Sequence, residues 1–393
     1  MNISSAIDTI CAYFNTLSSF FATIQRLKND YHARDIDYTS LILKLVRQPR
    51  VSPSKLGFEV DLHSVPDRYE KVLLAALVSL AVYHPDNGSD WTQQFTPLLH
   101  SRLQSSTADP WRRGKLRPVV VDLNEAHYMT SSKANVYMAV YKPLGCVVLS
   151  LPGTNSKSDW LSNLHSSTED MTIDGSTTVK VHQGFKYIAQ CLFTHQHIIK
   201  YLTDAMAAGF QKVLLCGHSQ AGAVVSLLSI LLDQTYSVQT DVVTFGSGAC
   251  VQSAETRTSQ CLGFVRCVQP DDSRPSLAAW QVDPVPLVDD ALLAHDAGHG
   301  TMYPMGTLLV LLDAAPVVHC RQLIGGELSC LLHSVLMDFS AAPHSMRGYL
   351  RAIMSLANGA ADDLLGSEYL AIVGESAILE ENDCELARLQ LMS

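Results

Sequence analysis

A serine hydroxyl becomes a nucleophile only when a base removes its proton as it attacks. The stretch QKVLLCGHSQAG, Gln211 to Gly222, holds Ser219 in a setting suited to that. Gly217 and Ser219 fit the first two fixed positions of G-x-S-x-G, the pattern of a nucleophile on a sharp strand-to-helix turn. Ala221 takes the last position, and glycine arrives one residue later at Gly222. KVLLC supplies a strand before the turn and AVVSLLSILL a helix after it. Small flanking residues let the two approach, and the helix dipole favours the anion that develops when an ester carbonyl is attacked. Gln220, directly after the serine, offers a backbone N–H as one oxyanion donor.

A serine that merely began a buried helix would demand nothing of the rest of the chain. An elbow demands a second oxyanion donor upstream, an acid downstream and then a histidine. The residues alone leave that choice open. Asp283 opens a DPVP turn, with Asp271, Asp272, Asp289 and Asp290 nearby, and His295, His299, His333 and His344 all follow the serine. No C-x-x-C pair or Cys/His ligand spacing occurs, and serine chemistry of this kind implies neither a metal nor an organic cofactor. The ten cysteines are scattered, and Cys146, Cys216 and Cys267 fall inside apolar runs. They read as buried thiols in a reducing compartment rather than a disulfide framework.

Six segments in order, VVLSLPGTNSKSDWLSNL, VHQGFKYI, LLCGHSQAGAVVSLL, DVVTFGSG, VDPVPLV and PHSMRGYL, resemble the class 3 (fungal-type) lipase family of the α/β-hydrolase superfamily. The resemblance implies roles position by position. Thr154 matches the oxyanion residue, donating through its hydroxyl and N–H beside Gln220. Pro152 stands where the family usually has an arginine. Asp283 matches the acid that accepts the second N–H of the histidine. His344 in PHSMRGYL matches the base, just before a helix carrying the aromatic Tyr349. HDAGHGTMY resembles a structural segment of the family, and His333 is the nearest rival to His344. The stretch after Thr154, with Trp160, Leu161 and Leu164, matches the family's lid, which excludes water and opens at a lipid surface.

These residues need a scaffold. Strand-like and helix-like runs alternate between residues 116 and 359, which predicts an α/β fold, an α/β-hydrolase with a mainly parallel central sheet flanked by helices. Within it the patterns predict a hairpin over NVYMAVYKPLGCVVLSLPG ending at Gly153, a helix from His182 to Met206, and a strand from Lys212 to Cys216. A helix from Ala221 to Leu232 and a strand from Asp241 to Phe245 follow, then strands at FVRCVQ and GTLLVLLD and a helix at HSMRGYLRAIMSLA. Residues 1–115 read as a helical N-terminal region, with an apolar stripe Ile3, Ile7, Ile10, Phe14, Leu17, Phe21, Ile24 and a second, buried helix from Glu70 to Tyr83. DPWRRGKLRP reads as the connector, and residues 360–393 as an acidic tail.

The composition of the 393 residues, 47% apolar and 17% charged, is that of a globular protein. A formal net charge of −10 argues against nucleic acid, which is bound through Lys and Arg. The N-terminus lacks the pattern of a secretory signal, and no apolar run reaches the ~20 residues of a membrane span. The expectation is a cytoplasmic protein, peripheral to membranes at most. It is expected to be a serine hydrolase that takes a lipid or ester substrate, a tri- or diacylglycerol or a phospholipid, at a membrane or lipid-droplet surface. Two other readings share these residues: a lipase-like scaffold that binds protein partners and no longer hydrolyses, and a soluble non-lipid carboxylesterase.

Overall fold

The computed structural model describes residues 51–83, 117–123, 132–142, 144–153, 168–173, 177–236, 238–252, 260–269, 280–283, 285–287, 302–314, 317–324, 327–331 and 342–356. In chain order the main elements are β1 (Phe58–Glu59), α1 (Arg68–Ala81), β2 (Arg117–Leu123), β3 (Ser132–Tyr141), β4 (Cys146–Leu151), β5 (Thr168–Thr172) and β6 (Thr178–His182). They continue with α2 (Gln183–Thr194), α3 (Gln196–Ala207), β7 (Lys212–His218), α4 (Gln220–Tyr236), β8 (Gln239–Phe245) and β9 (Cys261–Val268). The last are β10 (Gln281–Val282), β11 (Thr307–Ala314), β12 (Val317–Gln322) and α5 (Met346–Ser355).

Every residue of β4 is buried, and in β7 only Lys212 is exposed. Such unbroken apolar strands are covered on both faces, the mark of a parallel sheet between helices. The strands run in the order β1-β12-β11-β9-β8-β7-β4-β3-β2, with β10 on β9. The central strands β11, β9, β8, β7 and β4 are parallel, and the pairings outside them are antiparallel. This is the α/β-hydrolase architecture expected, with antiparallel edges added to a parallel centre. A separate hairpin joins β5 to β6.

Alternate residues of each strand serve opposite faces. Val147, Leu149, Val213 and Leu215 join the cluster that α2, α3 and α4 bury. Val148, Leu214, Cys216 and Val243 join the cluster that α1 and α5 bury. Helix α4 is apolar around most of its circumference and is buried from Ala221 to Ile230.

The structure modifies three expectations. Residues 51–83, part of the region read as helical, supply an edge strand as well as a helix. Phe58 and Glu59 pair with β12, and VLLAALVSL of α1 covers the sheet face formed by Val148, Leu214 and Val243, which needs an apolar partner. The helix expected from His182 to Met206 is two helices, because His195 adopts an extended ψ of 117° that ends α2 and begins α3. Thr194 Oγ1 caps the carbonyls of Gln190 and Cys191, and the His195 carbonyl accepts the N–H groups of Ile198 and Ile199 that start the next turn. The end of the expected connector, Arg117 and Pro118, belongs to β2, an edge strand, where proline is tolerated. The stripe Ile3 to Ile24 and the tail after residue 359 lie outside the described residues.

Candidate active site

Strands β4, β7 and β8 lie side by side and parallel. Gly153, Ser219 and Gly246, each just past the carboxyl end of one of them, therefore meet in one layer. That crevice is where open α/β sheets bind ligands.

Ser219 sits at a φ of 60°, in the left-handed region that costs a non-glycine residue about 1–2 kcal/mol. Neighbouring backbone holds it there. Its N–H donates to the Phe245 carbonyl at 3.0 Å, and its carbonyl accepts the N–H groups of Gly222 at 3.0 Å and Gly248 at 3.3 Å. A Cβ at Gly217 would lie 2.6 Å from the carbonyl carbon of Ala221, and one at Gly222 would lie 2.9 Å from Ser247 Cβ. The departure from G-x-S-x-G is thereby explained. The close approach falls on Gly217 and Gly222, while the Ala221 methyl is buried in the apolar cluster beneath α4. Gln220 is the first residue of α4.

Asp283 follows β10, its N–H bonded to the Arg266 carbonyl at 2.9 Å and its side chain fully buried. The carboxylate accepts from His344 Nδ1 at 3.0 Å on each oxygen, from the Tyr349 hydroxyl at 2.6 Å and from the Val285 N–H at 2.9 Å. Burial alone would raise the carboxyl. The charge and N–H of His344, with the Tyr349 and Val285 donors, outweigh that and hold it below the usual carboxylate value. His344 closes a short turn, Ala342–His344, and Ser345 caps α5 by accepting the Gly348 N–H. Gly246, at a φ of 52°, makes room for the pair: a Cβ there would lie 2.8 Å from His344 Nδ1 and overlap Asp283 Oδ2.

His218, one residue before the serine, links the elbow to His344. Its Nε2 donates to the His344 carbonyl at 2.6 Å, and its ring packs 4.4 Å from the His344 ring, centroid to centroid. Burial, and then the neighbouring His344, push its pKa down to about 3, so this imidazole stays neutral. Among the described residues no hydrogen bond runs from Ser219 Oγ to His344. Such contacts are often long in unliganded sites and tighten with substrate.

The structure thus brings Ser219, Gln220, Asp283 and His344 to one end of the sheet. Thr154, the lid stretch with Trp160, Leu161 and Leu164, and the alternatives Asp271, Asp272, Asp289, Asp290, His295, His299 and His333 lie outside the described residues. Gly153, just before Thr154, is described and touches the elbow: a Cβ there would lie 2.7 Å from the His218 carbonyl oxygen and 3.1 Å from Ser219 Cβ. Sequence reasoning missed His218 and Tyr83, whose hydroxyl bonds both His218 Nδ1 and the Gly153 N–H. His218 stood inside the elbow motif itself. Tyr83 carried no such signal. The eight described cysteines are free thiols, and burial pushes Cys216, nearest the elbow, up to about 12.

A parallel-centred sheet with a left-handed serine between a strand and the helix after it, and a buried aspartate–histidine pair at the same end, has the architecture of the α/β-hydrolase fold. The model of one family, described as Lipase (class 3), matches residues 148–281. Thr154, Ser219 and Gln220 lie within that match, and Asp283 and His344 lie beyond its end. Similar solved structures include Rhizomucor miehei lipase in complex with its propeptide, 14% identical over 77% of this chain and 91% of that one, with a TM-score of 0.47. The lipase from Rhizopus microsporus var. chinensis is 14% identical over 75% and 90%, with a TM-score of 0.46. A triacylglycerol lipase from Penicillium expansum is 15% identical over 68% and 86%, with a TM-score of 0.42. No curated protein sequence matches the chain. Among the described residues no helix is long and apolar enough to cross a membrane.

Proposed function

We propose that the protein is a serine acyl-ester hydrolase that releases fatty acid from a glycerolipid through an acyl-enzyme. The observation that carries this reading is the buried Asp283–His344 pair, packed through His218 against a serine held at a φ of 60°. His344, its Nδ1–H held by Asp283, presents Nε2 as the base. Ser219 Oγ attacks the ester carbonyl and gives up its proton to Nε2. The imidazolium that forms is stabilised by the Asp283 carboxylate, which stays ionised. The backbone N–H of Gln220, with Thr154, holds the oxyanion, each such donor being worth about 10²–10³ in rate. Collapse of the tetrahedral intermediate expels the alcohol, protonated by His344. Water, deprotonated by His344, then attacks the acyl-serine and frees the acid.

The class 3 lipase match supports a lipid ester as substrate, met at a membrane or lipid-droplet surface by a lid after Thr154. A fluorophosphonate reagent should label the wild type and leave Ser219→Ala unlabelled. A panel of tri- and diacylglycerols, phospholipids and short soluble esters then reads the substrate class, with a rate gain at the lipid interface expected. A folded wild type that is silent to both would support a non-hydrolytic scaffold instead.

A further inference from the structure

Tyr83 is the last described residue before residue 117, two positions beyond α1 and well outside the stretch that matches the lipase family. Its hydroxyl nonetheless lies at the centre of the site. It accepts the Gly153 N–H at 3.0 Å and lies 2.8 Å from His218 Nδ1. The polarity of this chain is fixed by its far end. The His344 carbonyl can only accept, so His218 Nε2 carries the proton and Nδ1 is the acceptor. Tyr83 must therefore donate to Nδ1, which leaves its oxygen lone pairs for Gly153. One continuous path runs from the Gly153 N–H through the Tyr83 O–H and the His218 ring to the His344 backbone.

Resting on the hydrolase reading above, we propose that Tyr83 is a positioning residue of this site. It fixes the tautomer of His218 and so sets the end of β4, next to the oxyanion residue, at a defined place relative to the base. Each junction of the path is tight. A Cβ on Gly153 would overlap Tyr83 Oη, and the His218 ring is packed edge-on against Tyr83 and against the face of His344. The phenol stays protonated, because burial pushes it well above its ordinary value. With the hydroxyl gone, Nδ1 becomes a buried acceptor without its donor, and the reason for His218 to keep its proton on Nε2 weakens. The His344 carbonyl and the Gly153 N–H then lose their fixed partners together. A shift of a fraction of an ångström between oxyanion donors and base costs rate far out of proportion to its cost in stability. The segment ahead of the lipase match is, on this view, part of the active site and not an appendage.

The test uses the full chain with Tyr83→Phe, which keeps the ring and its packing, and Tyr69→Phe as a control. Tyr69 sits on α1, the helix just before Tyr83, and donates to a backbone carbonyl, that of Ile353 on α5. With an ester that the wild type turns over, Tyr83→Phe should lower kcat about tenfold or more with KM within about twofold. Tyr69→Phe should keep the wild-type kcat. Long-range ¹H–¹⁵N NMR of the histidine rings should show a single Nε2–H tautomer for His218 in the wild type and shifted Nδ1 and Nε2 resonances in Tyr83→Phe. Wild-type kcat and unchanged His218 resonances in Tyr83→Phe would overturn the inference and leave the hydrolase reading intact. An equal loss of kcat in Tyr69→Phe would also overturn it, by showing a general effect of loosening α1. A wild type that neither labels nor turns over any ester sinks the hydrolase reading and this inference with it.

Discussion

Tyr349 donates its hydroxyl to Asp283 Oδ2 at 2.6 Å while accepting the backbone N–H of Arg266 at 2.9 Å. The phenol thus ties Asp283, the candidate acid, to β9, and it does so from α5, the helix that directly follows the candidate base. Acid, base and phenol form one unit: His344 and Tyr349 reach Asp283 from the same short segment. Burial raises Tyr349 well above its ordinary pKa, and the Asp283 charge raises it further, so it remains a donor throughout.

Tyr349→Phe removes one donor from a carboxylate that has no exposure to water, so the folded-state pKa of Asp283 rises. A carboxylate depressed on folding contributes stability that is full above its unfolded pKa, about 3.9, and lost as pH falls through the folded value. The variant should therefore be less stable than the wild type above about pH 4, with the difference shrinking as pH falls below that, while its kcat/KM falls off at a higher pH. Urea midpoints and activity profiles from pH 3 to 7 measure this. An unchanged acid limb of activity together with a stability difference that does not depend on pH would refute the role assigned to the phenol.

Ser219 carries strain that the proposed chemistry requires. Ser219→Gly should abolish fluorophosphonate labelling and yet stabilise the protein by about 1 kcal/mol, since glycine adopts positive φ at little cost. Thermal melts of wild type, Ser219→Gly and Ser219→Ala separate the two effects. A Ser219→Gly protein no more stable than Ser219→Ala would mean that the turn is not strained.

Gly246 is a steric requirement of the acid–base pair. In Gly246→Ala the new methyl falls between Asp283 Oδ2 and His344 Nδ1, at a backbone φ that already disfavours a side chain. Activity should fall at least a hundredfold, with about 1–3 kcal/mol lost in stability. Near-wild-type turnover would show that the pair does not need its present spacing.

His218 makes a separate contribution to pH dependence. Its folded-state pKa of about 3 lies below the ordinary value of 6.5, so between those values the unfolded chain binds a proton that the folded one does not. Stability then rises with pH across that window, at up to about 1.4 kcal/mol per pH unit, and is complete above it. His218→Gln should flatten the dependence of unfolding free energy on pH between 4 and 6. An identical slope in both proteins would assign that dependence to other groups.

Much of this scaffold was legible because its patterns are local. Unbroken apolar strands, turn residues and the strand–serine–helix sequence announced the parallel centre and the elbow. Placing Asp283 and His344 rested on the resemblance, since several aspartates and histidines fit the chain order equally well. What escaped depended on contacts between distant segments. The division of the helix at His195 was visible only as a slip in phase, since Phe185, Ile188 and Leu192 keep helical spacing and the next buried position, Ile198, breaks it. The union of residues 51–83 with the sheet could not be read from α1, whose apolar surface suits any partner. Tyr83 looked like one more aromatic at the end of a helix, because nothing in its neighbours reveals that a histidine ring waits for its hydroxyl.

The spread of these contributors along the chain also sets an order of events during synthesis. The strained serine and its helix leave the ribosome more than a hundred residues before the turn that carries His344 and the helix α5 that follows it. On the proposed mechanism, a nascent chain that has not yet docked residues 342–356 holds the serine in its turn without the imidazole that would take its proton.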